Sequence, residues 1–206
     1  MTALVWDDTS ERTYQYGVDH AVLYPEVGIG VIWGGMQSIE LSSNAKATSA
    51  YWDSRKRFDL VDLGMASGTI RALDRPQEFL PHEGVQSLRS GVTLRDQKRP
   101  AFGLSWRTKV DADEYKLHML HGAIAVPKDL DHNTMTDKGE PTEFEWAFSS
   151  APNELVDHRP AAHIMLDSRF VDAGIMTLVE SYLYGTVEWD AWLPPIQMVV
   201  DLINNW

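Results

Sequence analysis

The most constraining feature of this chain is an alternating pattern that predicts a β-hairpin. Leu104, Trp106 and Val110 lie at even positions of residues 102–110, and Ser105 and Arg107 lie between them. Alternation with a period of two places apolar side chains on one face of a strand and polar side chains on the other. A polar segment, 111–114, precedes a second alternating run of Tyr115, Leu117 and Met119. The pattern therefore predicts two antiparallel strands joined by a short turn.

The same period recurs through the first three-quarters of the chain. It predicts strands over 16–25, 31–33, 36–41, 57–63, 69–73, 143–149 and 161–167. The double glycine Gly34-Gly35 indicates a bulge or a close approach of backbones. Segments 57–63 and 69–73 are expected to pair as a hairpin around residues 64–68. The predicted strand over 143–149 places three aromatic side chains, Phe144, Trp146 and Phe148, on its inner face.

Helical periodicity is confined to short segments. Residues 172–184 place apolar side chains at helical spacing, with Asp172 able to cap the start and Gly185 the end. A second helix is expected over 194–203, and a short one over 76–80, capped by Asp74 and stopped by Pro81. With 206 residues, 44% of them hydrophobic, we expect one domain spanning 1–206. The predicted class is mainly β: an antiparallel β-sandwich or β-barrel with a packed α-helix and a short C-terminal helix.

Charge is unevenly distributed along this acidic chain, whose formal net charge is −12. Residues 172–206 hold five acidic side chains and no Lys or Arg. Residues 89–109 hold six basic side chains against one acid, Asp96. Two interpretations remain open: two solvated faces of opposite sign, or complementary surfaces that join identical subunits head to tail. The acidic balance argues against non-specific binding of nucleic acid on the outer surface.

Two segments, 42–57 and 81–100, show neither the two-residue period of a strand nor the spacing of a helix. Long irregular loops in a compact domain are usually functional or disordered, and both interpretations remain open for these two. The first carries Tyr51, Trp52 and the basic run Arg55-Lys56-Arg57. Among the tryptophans, Trp33, Trp106 and Trp146 lie on predicted strands and are expected in the core. Four others, Trp52, Trp189, Trp192 and Trp206, lie outside them, where aromatic side chains often anchor interfaces.

Motifs for catalysis or metal binding are weak. The chain has no cysteine, which excludes disulfides and thiolate metal sites. His118 and His121 differ by an odd offset, which separates them on a strand. Segment 129–140 matches most ligand positions of an EF-hand calcium loop, but Thr134 stands where the turn needs glycine and strands are predicted on both sides. No phosphate-binding loop, dinucleotide fingerprint or nucleophile elbow is present. We therefore expect no enzymatic activity, no cofactor and no metal.

Five stretches, in this order along the chain, resemble the major tail protein of siphovirus-type, long-tailed bacteriophages, especially those of actinobacteria. They are 17–25, 31–36, 102–108, 115–127 and 143–152, and they cover most of residues 16–152. The resemblance implies a tail tube subunit, a structural virion protein. Its subunits would close into hexameric rings that stack into a conduit for DNA delivery. One sheet of each subunit would join its neighbours around the lumen.

The resemblance also implies partners and a location. The chain would bind copies of itself, and the tape measure, distal tail and tail terminator proteins. DNA would pass an acidic lumen wall without specific binding, and nothing would insert in a membrane. Assembly would take place in the host cytoplasm and the product would be part of the virion. Segment 42–57 would be the long loop or hairpin that reaches the adjacent ring. Together with the charge and aromatic patterns, this gives a set of candidate contacts between subunits: Lys46, Tyr51, Trp52, Arg55, Lys56, Arg57, Arg95, Lys98, Arg99, Trp189 and Trp192.

Two other classes of function remain open from the sequence. One is a free-standing β-sandwich that binds a small ligand or carbohydrate, with exposed Trp52 as its platform. The other is a hydrolase that uses His with Asp or Glu in an unfamiliar arrangement. The size of the particle in solution distinguishes the binding module from the tail protein, because a monomer favours the former and rings or tubes favour the latter.

Overall fold

The fold is mainly β and antiparallel. A computed structural model describes residues 14–43, 46–53, 55–62, 65–110, 113–127 and 142–205. Its strands are β1 (Tyr16–Pro25), β2 (Val31–Ile32), β3 (Met36–Ser43), β4 (Lys46–Trp52), β5 (Arg55–Asp62), β6 (Ala66–Ala72), β7 (Gln86–Arg89), β8 (Val92–Leu94), β9 (Phe102–Lys109), β10 (Tyr115–Pro127), β11 (Phe144–Ser150) and β12 (His163–Asp167). A 3₁₀ helix spans Gln77–Glu83, and two α-helices, α1 and α2, span Ala173–Tyr184 and Ile196–Asn204.

One large sheet runs in the order β2–β1–β9–β10–β11–β6–β3. Strand β10 is long enough to pair with two strands on the same side, β12 along residues 116–120 and β11 along residues 123–127. The two halves are separated by a register shift at Gly122, whose φ of +62° suits glycine. The predicted hairpin of β9 and β10 is confirmed, with Lys109 opposite Tyr115.

The inner face of this sheet encloses an aromatic core. The sheet curls, so that β1 and β3, near its two ends, pack against the same core cluster. Phe79 of the 3₁₀ helix lies among Trp33, Phe102 and Trp146, with ring centroids 4.4 to 5.2 Å apart. Burial of such a side chain stabilises the fold by roughly 1.5–3 kcal/mol. The prediction that Trp33, Trp106 and Trp146 are core residues is confirmed, since each is only 2% exposed.

The two α-helices cover the outer face of β1, β9, β12 and the first half of β10. Ile175, Val179 and Leu183 of α1 are buried there with Leu117 and Met119 of β10. The start of α1 is capped as predicted, because the Asp172 carboxylate accepts a hydrogen bond from the Gly174 N–H at 2.7 Å. Both helices lie within one or two residues of their predicted bounds.

Strand β1 is covered on both faces, which a simple alternation does not predict. A register shift between Asp19 and Val22 includes His20, whose φ is +50°. Beyond it, Ala21 and Leu23 face the inner core, and Val22 and Tyr24 face the helices. An alternating pattern over 16–25 predicts one buried face of this strand, whereas the helix layer covers the second face as well.

The described residues of segment 42–57 lie mostly on strands, at the end of β3, in β4 and at the start of β5, so the expectation that this segment has no regular period is wrong. Strands β4 and β5 form a separate two-stranded sheet, called the arm below, with its turn between Trp52 and Arg55. The predicted pairing of 57–63 with 69–73 is wrong too, since β5 pairs with β4 and β6 pairs with β3 and β11. Gly68 lies inside β6, where a Cβ would overlap the backbone of β3.

Segment 81–100 also contains regular structure. The 3₁₀ helix continues through Pro81 to Glu83, and no side chain caps its start, so the predicted Asp74 cap and Pro81 stop are wrong. Strands β7 and β8 form a short hairpin around Ser90-Gly91. Gly34-Gly35 forms a turn between β2 and β3. The predicted close approach is present at Gly35, whose carbonyl accepts a hydrogen bond from the Leu73 N–H at 2.9 Å.

Candidate interaction surfaces

Five of the eleven predicted contact residues lie together at the tip of the arm: Tyr51, Trp52, Arg55, Lys56 and Arg57. Tyr51 is 66% exposed and Trp52 49% exposed, beside the turn. The Arg57 guanidinium lies 5.7 Å from the centre of the Trp52 ring and 3.3 Å from the Asp53 carboxylate. Arg55 and Lys56 are exposed beside them. The tip therefore presents two aromatic rings and three cationic groups. Lys46 lies at the other end of the arm, where β4 begins.

A second hairpin, β7–β8, presents aliphatic side chains to solvent. Leu88, Val92 and Leu94 are 55%, 51% and 44% exposed. This hairpin was not predicted, because Leu88 is the one apolar residue of β7, although the pair Ser90-Gly91 is typical of a turn. Exposed aliphatic side chains on a projecting hairpin are typical of a contact surface for another protein.

A cleft of about 430 Å³ lies beside this hairpin and the 3₁₀ helix. It is lined by Arg75, Glu83, Val85, Arg95, Asp96, Arg99, Pro127, Glu143, Phe144, Glu145 and Trp146. Its volume is in the range of sites that hold a small ligand or a group of side chains. The cleft was not predicted, because its residues are scattered over 70 positions of the sequence.

Glu83 is a buried carboxylate at the wall of this cleft. The Trp146 indole N–H donates to Glu83 Oε1 at 2.7 Å, and Arg75 Nε lies 3.3 Å from the same oxygen. Burial raises the pKa of Glu83, and the charge of Arg75 opposes that rise. The Arg75 guanidinium also lies 4.6 Å from the centre of the Phe144 ring. The pair of Arg75 and Glu83 therefore fixes the shape of the cleft from inside.

The basic segment 89–109 does not form one continuous surface. Arg99 Nε donates to the Glu83 carbonyl at 3.3 Å, Arg107 Nε donates to Asp19 at 3.0 Å, and Lys109 lies 3.6 Å from Asp19. These three cations are therefore bound within the domain. Three others are exposed: Arg89, Arg95 and Lys98. Of the predicted contacts, Arg95 and Arg99 both line the cleft.

The cluster around Arg107 joins the sheet to α1. Its guanidinium lies over the Tyr115 ring at 4.6 Å, and the Tyr115 hydroxyl donates to Glu180 of α1 at 2.7 Å. Burial would raise the pKa of Asp19, but the hydrogen bond and charge of Arg107 lower it below its usual value. Burial and Glu180 raise the pKa of Tyr115 to about 12. The cluster is thus a structural tie between two layers.

Trp189 and Trp192 form a separate aromatic surface at the end of α1. They are 42% and 38% exposed, and both lie against Tyr182, at ring-centroid distances of 6.4 and 5.4 Å. The Trp189 indole N–H donates to the Ser181 carbonyl at 3.1 Å. These two predicted contact residues therefore lie together beside α1. Neither belongs to the arm or to the lining of the cleft.

His118 and His163, 45 positions apart in the sequence, meet in the structure. The rings of Trp106, His118 and His163 form a stack, and a hydrogen bond of 3.2 Å joins His118 Nδ1 to His163 Nε2. Burial lowers the pKa of both, that of His118 to about 4. Within the described residues, no three potential metal ligands come together. The calcium-like segment 129–140 lies outside the described residues.

Comparison with family models and with curated proteins found no match for this chain. No helix in the described part of the chain is long and apolar enough to cross a membrane. A proposal for function therefore depends on the resemblance in sequence and on the surfaces above.

Proposed function

We propose that this chain is the structural subunit of a bacteriophage tail tube and that it polymerises with copies of itself. The observation that carries the proposal is the edge of the large sheet at β3, where one side of the strand has no partner strand among the described residues. Among the described strands, β3 pairs on one side only, with β6, and the next strand along the chain is β4 of the arm. An edge strand of eight residues is a template for pairing with another chain unless it is covered. Polymerisation covers it.

The resemblance supports the same function. Four of its five stretches fall on β1, β9, β10 and β11, which are neighbours in one sheet. They are thus parts of one structural unit, as a shared fold requires, although β1 and β11 are more than a hundred residues apart in the sequence. The remaining stretch holds β2 and the Gly34-Gly35 turn, which lead into the edge strand β3.

The polar outer face of β3, β6 and β11 suits a surface along which DNA moves. Arg71 lies between two carboxylates, 3.6 Å from Glu40 and 3.5 Å from Glu145. Acidic side chains are therefore in excess around this cation, and an acidic wall repels phosphates instead of retaining them. We assign this face to the lumen as part of the proposal.

Electron microscopy and mass measurement of the purified chain test the proposal. The chain is 23.3 kDa, and the expected result is rings or tubes of many subunits at high protein concentration. As a matched control, replacing the arm by a short turn should leave a folded protein and reduce assembly. A parent chain that stays monomeric at the highest attainable concentration, in low and high salt, would overturn the proposal.

The cleft favours one second candidate, a ligand-binding module. Its volume and its Phe144 wall would suit a small polar ligand, whereas Trp52, the platform expected from the sequence, lies on the arm. Saturable binding of a sugar or another small ligand by a monomer, lost on Phe144→Ala, would favour this function over the tail tube.

A further inference from the structure

The arm and the cleft lie at opposite ends of the same strands. Ala66, at the start of β6, pairs with the last residues of β3 and β11, and the arm begins at this end. Ala72, at the other end of β6, pairs with Met36 and with Phe144 of the cleft. Seven-residue β4 can span about 20 Å when extended. A head-to-tail arrangement of two molecules would therefore bring the arm end of one toward the cleft end of the next.

The chemistry of the two surfaces is complementary. The arm tip carries three cations and one acid, Asp53, which pairs with Arg57. In the cleft, Arg75 and Arg99 already contact Glu83, which leaves Arg95 as the only other cation among the lining residues. The lining also includes three carboxylates besides Glu83: Asp96, Glu143 and Glu145. Glu145 also contacts Arg71, so Asp96 and Glu143 are the main anionic groups for a partner.

The apolar parts match as well. Tyr51 and Trp52 are large rings that remain exposed on the arm. Phe144 lies in the cleft, and Leu88, Val92 and Leu94 are exposed on the adjacent hairpin. Covering exposed rings and aliphatic side chains against each other is the usual source of affinity at the centre of an interface, with charges at its rim.

We propose that the arm tip of one copy of this chain docks into the cleft of a second copy. Trp52 packs against Phe144 and the β7–β8 hairpin, and Arg55 lies near Glu143. This inference rests on the proposed polymerisation and adds to it the acceptor site. The contact is heterologous, because it joins different surfaces of the two copies and so repeats without limit along a polymer.

A cross-linking experiment tests the acceptor site directly. The chain has no cysteine, so single Asp53→Cys and Glu143→Cys variants each carry one reactive thiol. Mixed under conditions in which the parent assembles, they should give a dimer with a short bis-maleimide. Thr177→Cys on α1 and Asn205→Cys, beside a groove on α2, are exposed controls that should not cross-link to Asp53→Cys. Assembly without the first cross-link, or with either control cross-link, would overturn the docking and leave the proposed function standing.

Charge exchange gives a second, independent readout. Arg55→Glu and Glu143→Lys should each raise the concentration needed for assembly roughly two- to five-fold, and the double variant should return it to near the parent value. Arg159→Glu, an exposed change of the same size elsewhere, should have no effect. Arg95→Glu should lower the concentration needed for assembly, because it replaces a cation of the cleft lining by an anion that attracts the cationic arm tip. If the basic segment 89–109 instead bound an acidic surface of the neighbour, the same change would raise that concentration. Absence of assembly by the parent itself would reject the proposed function together with this contact.

Discussion

Acidification from pH 7 to pH 5 should destabilise this protein through its buried histidines. His121 is 8% exposed, and its Nε2 atom has no hydrogen-bond partner among the described residues. Burial, and to a smaller extent the charge of His163, lower the pKa of His121 to about 4. An imidazole in the unfolded chain titrates near 6.5. Between these values the unfolded chain binds a proton that the folded protein does not, so stability falls as the pH falls.

The size of the effect follows from the difference in pKa. Each pH unit below 6.5 costs about 1.4 kcal/mol until the folded pKa is reached. At pH 5 the loss of unfolding free energy from His121 alone is therefore about 2 kcal/mol. His118 adds to the loss in the same window, since its pKa is also lowered to about 4. The Asp19 and Asp167 carboxylates, whose pKa values are lowered below 3.8, contribute only at lower pH.

Urea unfolding at pH 7 and pH 5 measures this loss. His121→Phe should remove about 2 kcal/mol of the pH dependence, and His121→Gln serves the same purpose if the larger ring is not tolerated. His158→Gln, a change at an exposed histidine, is the matched control and should keep the parent's pH dependence. An equal stability of the parent at both pH values, or an unchanged pH dependence in both His121 variants, would refute the reasoning.

Three further predictions concern stability measured by thermal or urea unfolding. Gly68→Ala should cost about 1–3 kcal/mol, because its Cβ would overlap the backbone of β3; Gly34→Ala, where no atom lies within 4 Å of the added Cβ, is the control and should cost less than about 1 kcal/mol. Asp172→Ala should cost about 1 kcal/mol through loss of the α1 cap, and full retention of stability would show that the cap is unimportant. Arg107→Gln should cost roughly 1–2 kcal/mol by removing the hydrogen bond from Arg107 to Asp19, beside which Lys109 remains at 3.6 Å, and a change below about 0.5 kcal/mol would contradict this reasoning.

The elements that the sequence predicted correctly are those with local signals. Helix α1 has a cap residue at its start, a glycine after its end and apolar residues at helical spacing between them, all within fourteen positions. Strands β9 and β11 place large apolar side chains against the aromatic core at every second position, so their alternation is strong. The arm was missed because a strand is recognised by a buried face, and the described side chains near its tip, from Tyr51 to Arg57, are exposed.

The candidate surfaces depend on contacts between distant positions, which one sequence does not reveal. Arg107 looked like part of an exposed basic patch, but its partner Asp19 lies 88 positions away on β1. Glu83 and Trp146, which meet at the cleft, are 63 positions apart. Composition gave the number of charges in a segment, whereas the pairing of strands decides which of them are neutralised inside the domain.

The pairing of β1 with β9 has a consequence for how the chain is made. Tyr24 and Ser105, which share a hydrogen bond across these strands, are 81 positions apart. During synthesis β1 leaves the ribosome well before β9, so the edge of β1 that pairs with β9 stays unpaired during that time. The arm can already form, because its two strands are adjacent in sequence. For that interval the nascent chain presents an open strand edge beside a completed hairpin, and crowded ribosomes translating this message would bring several such edges together. Wider spacing between ribosomes should therefore increase the yield of folded subunits.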